Sequence, residues 1–156
     1  MLPTRMVDTS LRLDAFLPFR LSVTSNLVSD AIASSYQALF GLTIPEWRLI
    51  AVIAENEGAT QQQVGQRTRM DKVTVSRATI ALVDRELVER RPHASDRRSQ
   101  SLHLSAAGHD LYAAVAPKAL ELERRIFARF DPTEVAAFSA MLLRVQQATL
   151  DVRDKV

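Results

Sequence analysis

Between Thr60 and Ser105 the sequence changes its hydrophobic rhythm from helical to alternating, with a polar break between the two. This stretch predicts a helix-turn-helix followed by a basic β-hairpin. Thr60 is placed to cap the first helix, and Gln63 three residues later completes a capping box. Val64 is that helix's main apolar contact, and Gly65 inside it costs about 1 kcal/mol relative to Ala. Arg69-Met70-Asp71 forms the turn, with Asp71 at the positive end of the second helix. That helix is predicted from about Lys72 to Arg85. Val75, Thr79, Leu82 and Val83 make its core-facing stripe.

The opposite face of the second helix carries Lys72, Val73, Thr74, Ser76 and Arg77. It offers a cation, two hydroxyls, an apolar contact and a guanidinium able to bond bidentately, which suits phosphates and base edges in a major groove. A solvated amphipathic face would read the same for a lone helix; the neighbours decide. Leu87 to Arg91 and Ser101 to Leu104 alternate on either side of a turn-rich tip, Pro92 to Gln100. Arg97 and Arg98 at the tip repel each other unless an anion meets them, and Asp96 is placed to brace one while the other projects. Thr60 and Gln61, at the mouth of the first helix, complete the candidate DNA contacts.

This segment resembles the winged helix of the multiple-antibiotic-resistance regulator (MarR) family of transcription factors. The resemblance rests on Asp71 to Arg77, on Leu87-Val88-Glu89-Arg90, and on Asp96-Arg97-Arg98-Ser99 leading to Leu102-His103-Leu104-Ser105-Ala106-Ala107-Gly108. It implies that the second helix enters the major groove of duplex DNA and that Arg98 enters the minor groove. It also implies that terminal helices of two subunits interlock, and that a small aromatic or phenolic acid binds between the helical layer and the winged helix. The family commonly places Gly before the first wing strand, where this chain has Glu86. A left-handed conformation there is strained for any other residue.

The flanks are helical. Residues 1–10 lack periodicity and are expected to form a flexible arm. Leu11 to Phe40 reads as helix in two parts, divided at Pro18, with an apolar stripe of Leu27, Val28, Ala31, Ile32, Ser35 and Leu39 and a C-cap at Gly41. Thr43-Ile44-Pro45-Glu46 opens the next helix. Trp47, Ile50, Ala51 and Ala54 are its expected buried face, and Gly58 ends that segment. Ser105 is expected to cap a helix reaching about Phe130, kinked at Pro117, and Asp131 to Glu134 caps the last. Along the last helix Val135, Phe138, Leu142, Val145, Thr149 and Val152 recur as an a/d seam. The seam is open to packing within the chain or to a homodimer, and the commonness of twofold oligomers favours the second. The expected division is a helical dimerisation region, 11–42 and 109–156, around a DNA-binding domain, 43–108. The fold class is thus mainly α, a winged helix-turn-helix with a two-stranded wing and terminal helices forming a dimerisation layer.

The formal net charge of the 156 residues is only +2. Its distribution says more. From Arg67 to His103 there are nine Lys/Arg and five Asp/Glu, so the motif is +4 and the remainder −2. A basic patch on the motif is the electrostatic footprint of nucleic-acid binding. The absence of cysteine removes disulfides, thiolate metal sites and thiol-based redox sensing. No apolar run reaches the length of a membrane span and no signal pattern opens the chain, so the expected location is the cytoplasm. No phosphate loop, His-Glu-x-x-His or Gly-x-Ser-x-Gly is present, so neither an enzyme nor a cofactor site is expected. His93 with Asp96 makes too weak a pair for a metal and belongs near phosphates instead. His103 is expected on the solvent side of its strand.

The competing reading is a winged helix that binds protein. Lys72, Arg77, Arg97 and Arg98 argue against it. For an effector, Arg20 on the first helix offers a bidentate partner to a carboxylate. Phe19 and Trp47 offer apolar walls, and Ser25 and Asn26 offer polar contacts to ring substituents. Pairing of Arg20 with Asp14 or Glu46 as scaffold stands beside this reading. The expected function is a ligand-responsive regulator, a repressor that binds a pseudo-palindrome as a homodimer and is released by an aromatic carboxylate.

Overall fold

The computed structural model describes residues 10–92, 95 and 98–155. Residues 1–9 of the expected arm, and His93, Ala94, Asp96 and Arg97 of the wing tip, lie outside the described residues. After a 3-10 turn at Leu13–Ala15 come helices α1 (Leu17–Ala33), α2 (Gln37–Phe40), α3 (Ile44–Glu55), α4 (Gln61–Thr68) and α5 (Lys72–Asp84). Antiparallel strands β1 (Val88–Pro92) and β2 (Gln100–Leu104) follow, then α6 (Ala106–Ile126) and α7 (Pro132–Arg153). The chain is mainly helical, with a winged helix-turn-helix at its centre. None of the helices among the described residues is long and apolar enough to cross a membrane.

The chain forms two compact units, Met1–Ala116 and Pro117–Val156, divided within α6 at Pro117. The first unit holds the hydrophobic core. Leu49, Ile50 and Ile53 of α3 are fully buried with Val64 of α4, Leu82 of α5, Leu102 of β2 and Val115 of α6. α4 shows why this core matters. It has eight residues, fewer than the ~12–15 a helix needs to persist alone in water. Burial of Val64, worth about 1.5–3 kcal/mol, outweighs the ~1 kcal/mol cost of Gly65.

Several expectations need correction. Pro18 starts α1 instead of dividing a helix, because a first-turn proline lacks only an N–H that has no acceptor there. The break falls at residues 34–36, where Ser34 and Ser35 turn their hydroxyls back onto the carbonyls of Ala31 and Ile32. Of the expected stripe, Leu27, Ala31 and Leu39 are exposed, while Ala33 and Tyr36 are buried in their place. The buried face of α3 is Leu49, Ile50 and Ile53, with Trp47, Ala51 and Ala54 half-buried. On β1 only Val88 is buried, so that strand does not alternate. α6 stops at Ile126, four residues early, since Asp131 must leave helical geometry to cap α7. His103 is not a free solvent-side residue; its partner is described below.

Other local signals are realised. Thr43, Thr60 and Asp131 each form a complete capping box, and Asp71 caps α5. Gly41 ends α2 at φ 63°. The Ser105 hydroxyl accepts from the Gly108 amide at 3.0 Å and so caps α6. A Cβ on Gly108 would fall onto the carbonyl oxygen of Leu87, so only glycine lets α6 approach the base of the wing so closely.

In the second unit, the Phe127 ring packs against Phe130 and, across the turn, against Phe138. No residue of α7 is buried, and Phe138, Met141, Leu142, Leu143, Val145 and Val152 are all exposed.

Candidate nucleic-acid interface

α4 and α5 meet across the turn Arg69-Met70-Asp71, where Arg69 is left-handed at φ 59°. The Asp71 carboxylate accepts the Thr74 amide at 2.7 Å and the Thr74 hydroxyl at 3.0 Å. Those bonds, the backbone one first, hold its pKa below the ordinary aspartate value, so Asp71 is a charged cap at neutral pH. On the inner side of α5, Thr79 is fully buried and its hydroxyl donates to Val75 O at 2.7 Å. The buried polar group is therefore satisfied within the helix.

The outer face of α5 presents Lys72, Val73 and Arg77 to solvent, while Ser76 and Thr74 are half-buried. Among the described residues neither Lys72 nor Arg77 makes an ion pair. The Thr60 hydroxyl oxygen accepts the Gln63 amide at 3.2 Å, and Gln61 beside it is half-buried. The sequence also missed Ile80, an exposed β-branched residue on the face of Val73 and Arg77. It missed Arg85 too, whose guanidinium donates to Phe40 O at 2.6 Å and ties the end of α5 to that of α2.

The wing pairs Val88 with Leu104, Arg90 with Leu102 and Arg91 with Ser101. Arg90, Arg91 and Arg98 are exposed along it, and Arg91 leans on Glu89 at 3.2 Å. The bracing role expected of Asp96, and the place of Arg97, lie outside the described residues. The other edge of β2 is held by a backbone bridge: Gly58 N donates to Leu102 O at 2.8 Å and Leu102 N to Ala59 O at 2.9 Å. Gly58, at φ 89°, faces the His103 ring.

Beside that bridge sits a cluster that the sequence reading missed. Glu57 accepts the Leu104 amide at 3.3 Å, lies 3.5 Å from His103 Nδ1 and 2.9 Å from His109 Nε2. Ser101 Oγ meets the other ring nitrogen of His103 at 3.0 Å. One carboxylate thus joins the turn before α4, the base of the wing and the start of α6. No local signal marks it, because the three residues meet only through the fold.

The residues nominated for an effector are less concentrated. Phe19, Arg20, Ser25 and Asn26 are exposed on α1, and Arg20 pairs with neither Asp14 nor Glu46. Glu46 turns instead to the Thr43 amide. Trp47 is stacked between Tyr36 and Tyr112, with ring centroids 5.5 and 5.7 Å away. Burial raises the pKa of the Tyr36 phenol, the Arg48 cation opposing and Asp30 adding to the shift. Trp47 also edges an open cleft of about 390 Å³ with Arg48, Ala51, Val52, Glu55, Arg67 and Thr68. None of the α1 nominees lines it.

Residues 40–99 match the model of the MarR family. An HTH-type transcriptional regulator of Staphylococcus aureus (strain Mu50) is 25% identical over 102 residues, 65% of this chain and 67% of that one. A MarR/EmrR family transcriptional regulator from Acinetobacter sp. ADP1 shares the fold with a TM-score of 0.83 at 22% identity, over 90% of this chain and 99% of that one. CouR from Rhodococcus jostii RHA1, solved bound to p-coumaroyl-CoA, has a TM-score of 0.75 at 20% identity over 87% and 95%.

Proposed function

We propose that this chain, whose residues 40–99 match the model of the MarR family, is a homodimeric, ligand-responsive repressor of that family. The observation that carries the reading is a set of exposed cations on a winged helix: Lys72 and Arg77 on α5, Arg90, Arg91 and Arg98 on the wing. In this reading α5 enters the major groove, with Lys72, Val73, Thr74, Ser76 and Arg77 as its contacts and Thr60 and Gln61 on the flanking phosphates. The wing, with Asp96, Arg97 and Arg98, reaches the minor groove. The DNA-binding domain is 43–108, and 11–42 with 109–156 form the dimerisation region. Two copies read half-sites one helical turn, ~10 bp, apart.

For the effector, an aromatic carboxylate is the class that fits an exposed Arg20 with no ion pair among the described residues and an aromatic stack of Tyr36, Trp47 and Tyr112. Phe19, Ser25 and Asn26 belong to the same proposal. CouR's bound p-coumaroyl-CoA lends it the support of a shared fold only. The ligand acts by its differential affinity for a spacing of the two recognition helices that misfits the operator.

The test is a gel-shift titration on DNA upstream of the protein's own gene at several salt concentrations, with hydroxylated benzoates and cinnamates added. Specific binding that weakens steeply with salt and is released by one of these acids supports the reading, since phosphate contacts release counterions. Binding without sequence preference, or an affinity flat in salt, contradicts it. Calorimetry on Arg20→Ala then locates the acid: equal affinity for mutant and native protein removes Arg20 from the pocket.

A further inference from the structure

Two of the five side chains that the sequence places on the outer face of α5 are less open than the others. Thr74 spends both its amide and its hydroxyl on Asp71, and Ser76 is half-buried. With Ile80, two of the more open ones form a line of three. Val73, Arg77 and Ile80 stand at i, i+4 and i+7, one strip of an α-helix. Val73 is 58% and Ile80 49% exposed, whereas Val75, Ala78 and Leu82 of the same helix are buried. A β-branched hydrophobe in that setting gives the helix neither propensity nor burial. Arg77 between them has no ion pair among the described residues.

An apolar strip interrupted by one guanidinium has a specific complement in duplex DNA. In the major groove the thymine C5-methyl is the apolar feature, and guanine O6 and N7 form the acceptor pair that matches a guanidinium. The surrounding charge, Lys72 beside Val73 and Arg90, Arg91 and Arg98 on the wing, favours a polyanion over a protein partner. We infer that α5 reads a thymine methyl through Val73 and a guanine through Arg77. Four residues of helix advance ~6 Å, and along a groove inclined to the DNA axis this spans about one to two base steps of ~3.4 Å axial rise. For a helix lying along the groove, each half-site therefore carries a thymine and a guanine one or two steps apart. Val73 and Ile80 flank the guanidinium and shield its bonds to the base from water, which strengthens them. The inference rests on the DNA-binding reading above and adds to it which base features are read, and by which residues.

The experiment begins with duplexes that the full chain selects from a random-sequence library. Each thymine of the selected half-site is replaced in turn by deoxyuridine, which removes only the methyl, and each guanine by 7-deazaguanine, which removes only the N7 acceptor. At one thymine the native chain loses about three- to fivefold in affinity, the worth of one buried methyl, and Val73→Ala binds the two duplexes equally. At one guanine one or two steps away it loses about tenfold or more, and Arg77→Ala shows no such loss. Both residues are exposed, so an unfolding midpoint equal to the native one confirms that each variant is folded. No uracil penalty at any thymine, or one that persists in Val73→Ala, overturns the inference while sequence selection itself survives. A chain that selects no sequence overturns the DNA-binding reading and this inference with it.

Discussion

Two residues without glycine's freedom bracket the recognition helix: Arg69 at φ 59° before it and Glu86 at φ 58° after it. The second was legible in advance, because the resemblance drawn from the sequence implies glycine where Glu86 stands. The first was not, since a left-handed residue in the turn follows from how Met70 and Asp71 must leave α4. Glu86 has little room to relax. Arg85 is bonded to Phe40 O, the Glu86 carbonyl accepts the Ser105 hydroxyl at 2.7 Å, and Leu87 N donates to Leu82 O at 3.0 Å. A left-handed L-residue costs roughly 1–2 kcal/mol, and glycine's extra freedom in the unfolded chain takes back about 0.5–1 kcal/mol. Glu86→Gly is therefore expected to stabilise the fold by about 0.5–1 kcal/mol. A urea midpoint that rises with an unchanged slope is the expected outcome; a lower midpoint would mean that the Glu86 side chain contributes more than its backbone costs.

At the scale of elements, what was legible was local. A capping box needs two residues three apart, so Thr43, Thr60 and Asp131 announce their helices without knowledge of the fold. The second wing strand, β2, likewise follows from its own period. Contacts between elements leave no such mark. Tyr36 at the break before α2, Trp47 of α3 and Tyr112 of α6 stack together, and Glu57 meets His103 and His109 across more than forty residues. The bond from the Thr74 hydroxyl to Asp71 was not legible, because sequence alone does not say which hydroxyl Asp71 will use. The Glu57 junction carries a prediction of its own. Its carboxylate is over one-third exposed, so its contacts with the two histidines are screened and removing them should cost under about 1 kcal/mol globally. Locally the effect is larger, because the Leu104 amide loses its side-chain acceptor at the base of the wing. Glu57→Ala is expected to speed hydrogen exchange at Leu104 and its strand neighbours while leaving α3 amides protected. Glu57→Gln, which keeps an acceptor, should restore part of that protection. Exchange that is unchanged in the alanine variant would show that the Gly58 and Ala59 bridge holds β2 unaided.

For the whole molecule, the question is what covers the apolar side chains the chain leaves in water. The 3-4 spacing of Phe138, Leu142, Val145 and Val152 is plain in the sequence, but their destination is not, because the same stripe serves a core or an interface. In the structure all four are exposed, as are Leu17, Leu21 and Leu27 on α1. A run of this kind on an isolated subunit marks an association surface. We therefore expect a homodimer in solution, and the choice of variant decides how cleanly this is tested. Phe138 packs on Phe127 within its own unit, so replacing it confounds folding with association. Leu142 has no such ring contact, and aspartate in mid-helix costs under ~0.7 kcal/mol in propensity. Leu142→Asp should sediment as a monomer while retaining native helix content. Each monomer then binds one half-site alone, losing the effective concentration that couples two half-sites, a factor on the order of 10²–10⁴. The salt dependence of binding should fall to about half the native slope, since half the phosphate contacts remain. A Leu142→Asp protein that stays dimeric places the interface elsewhere on the chain; a monomer that binds the full operator as tightly as the native protein removes the dimer from the mechanism.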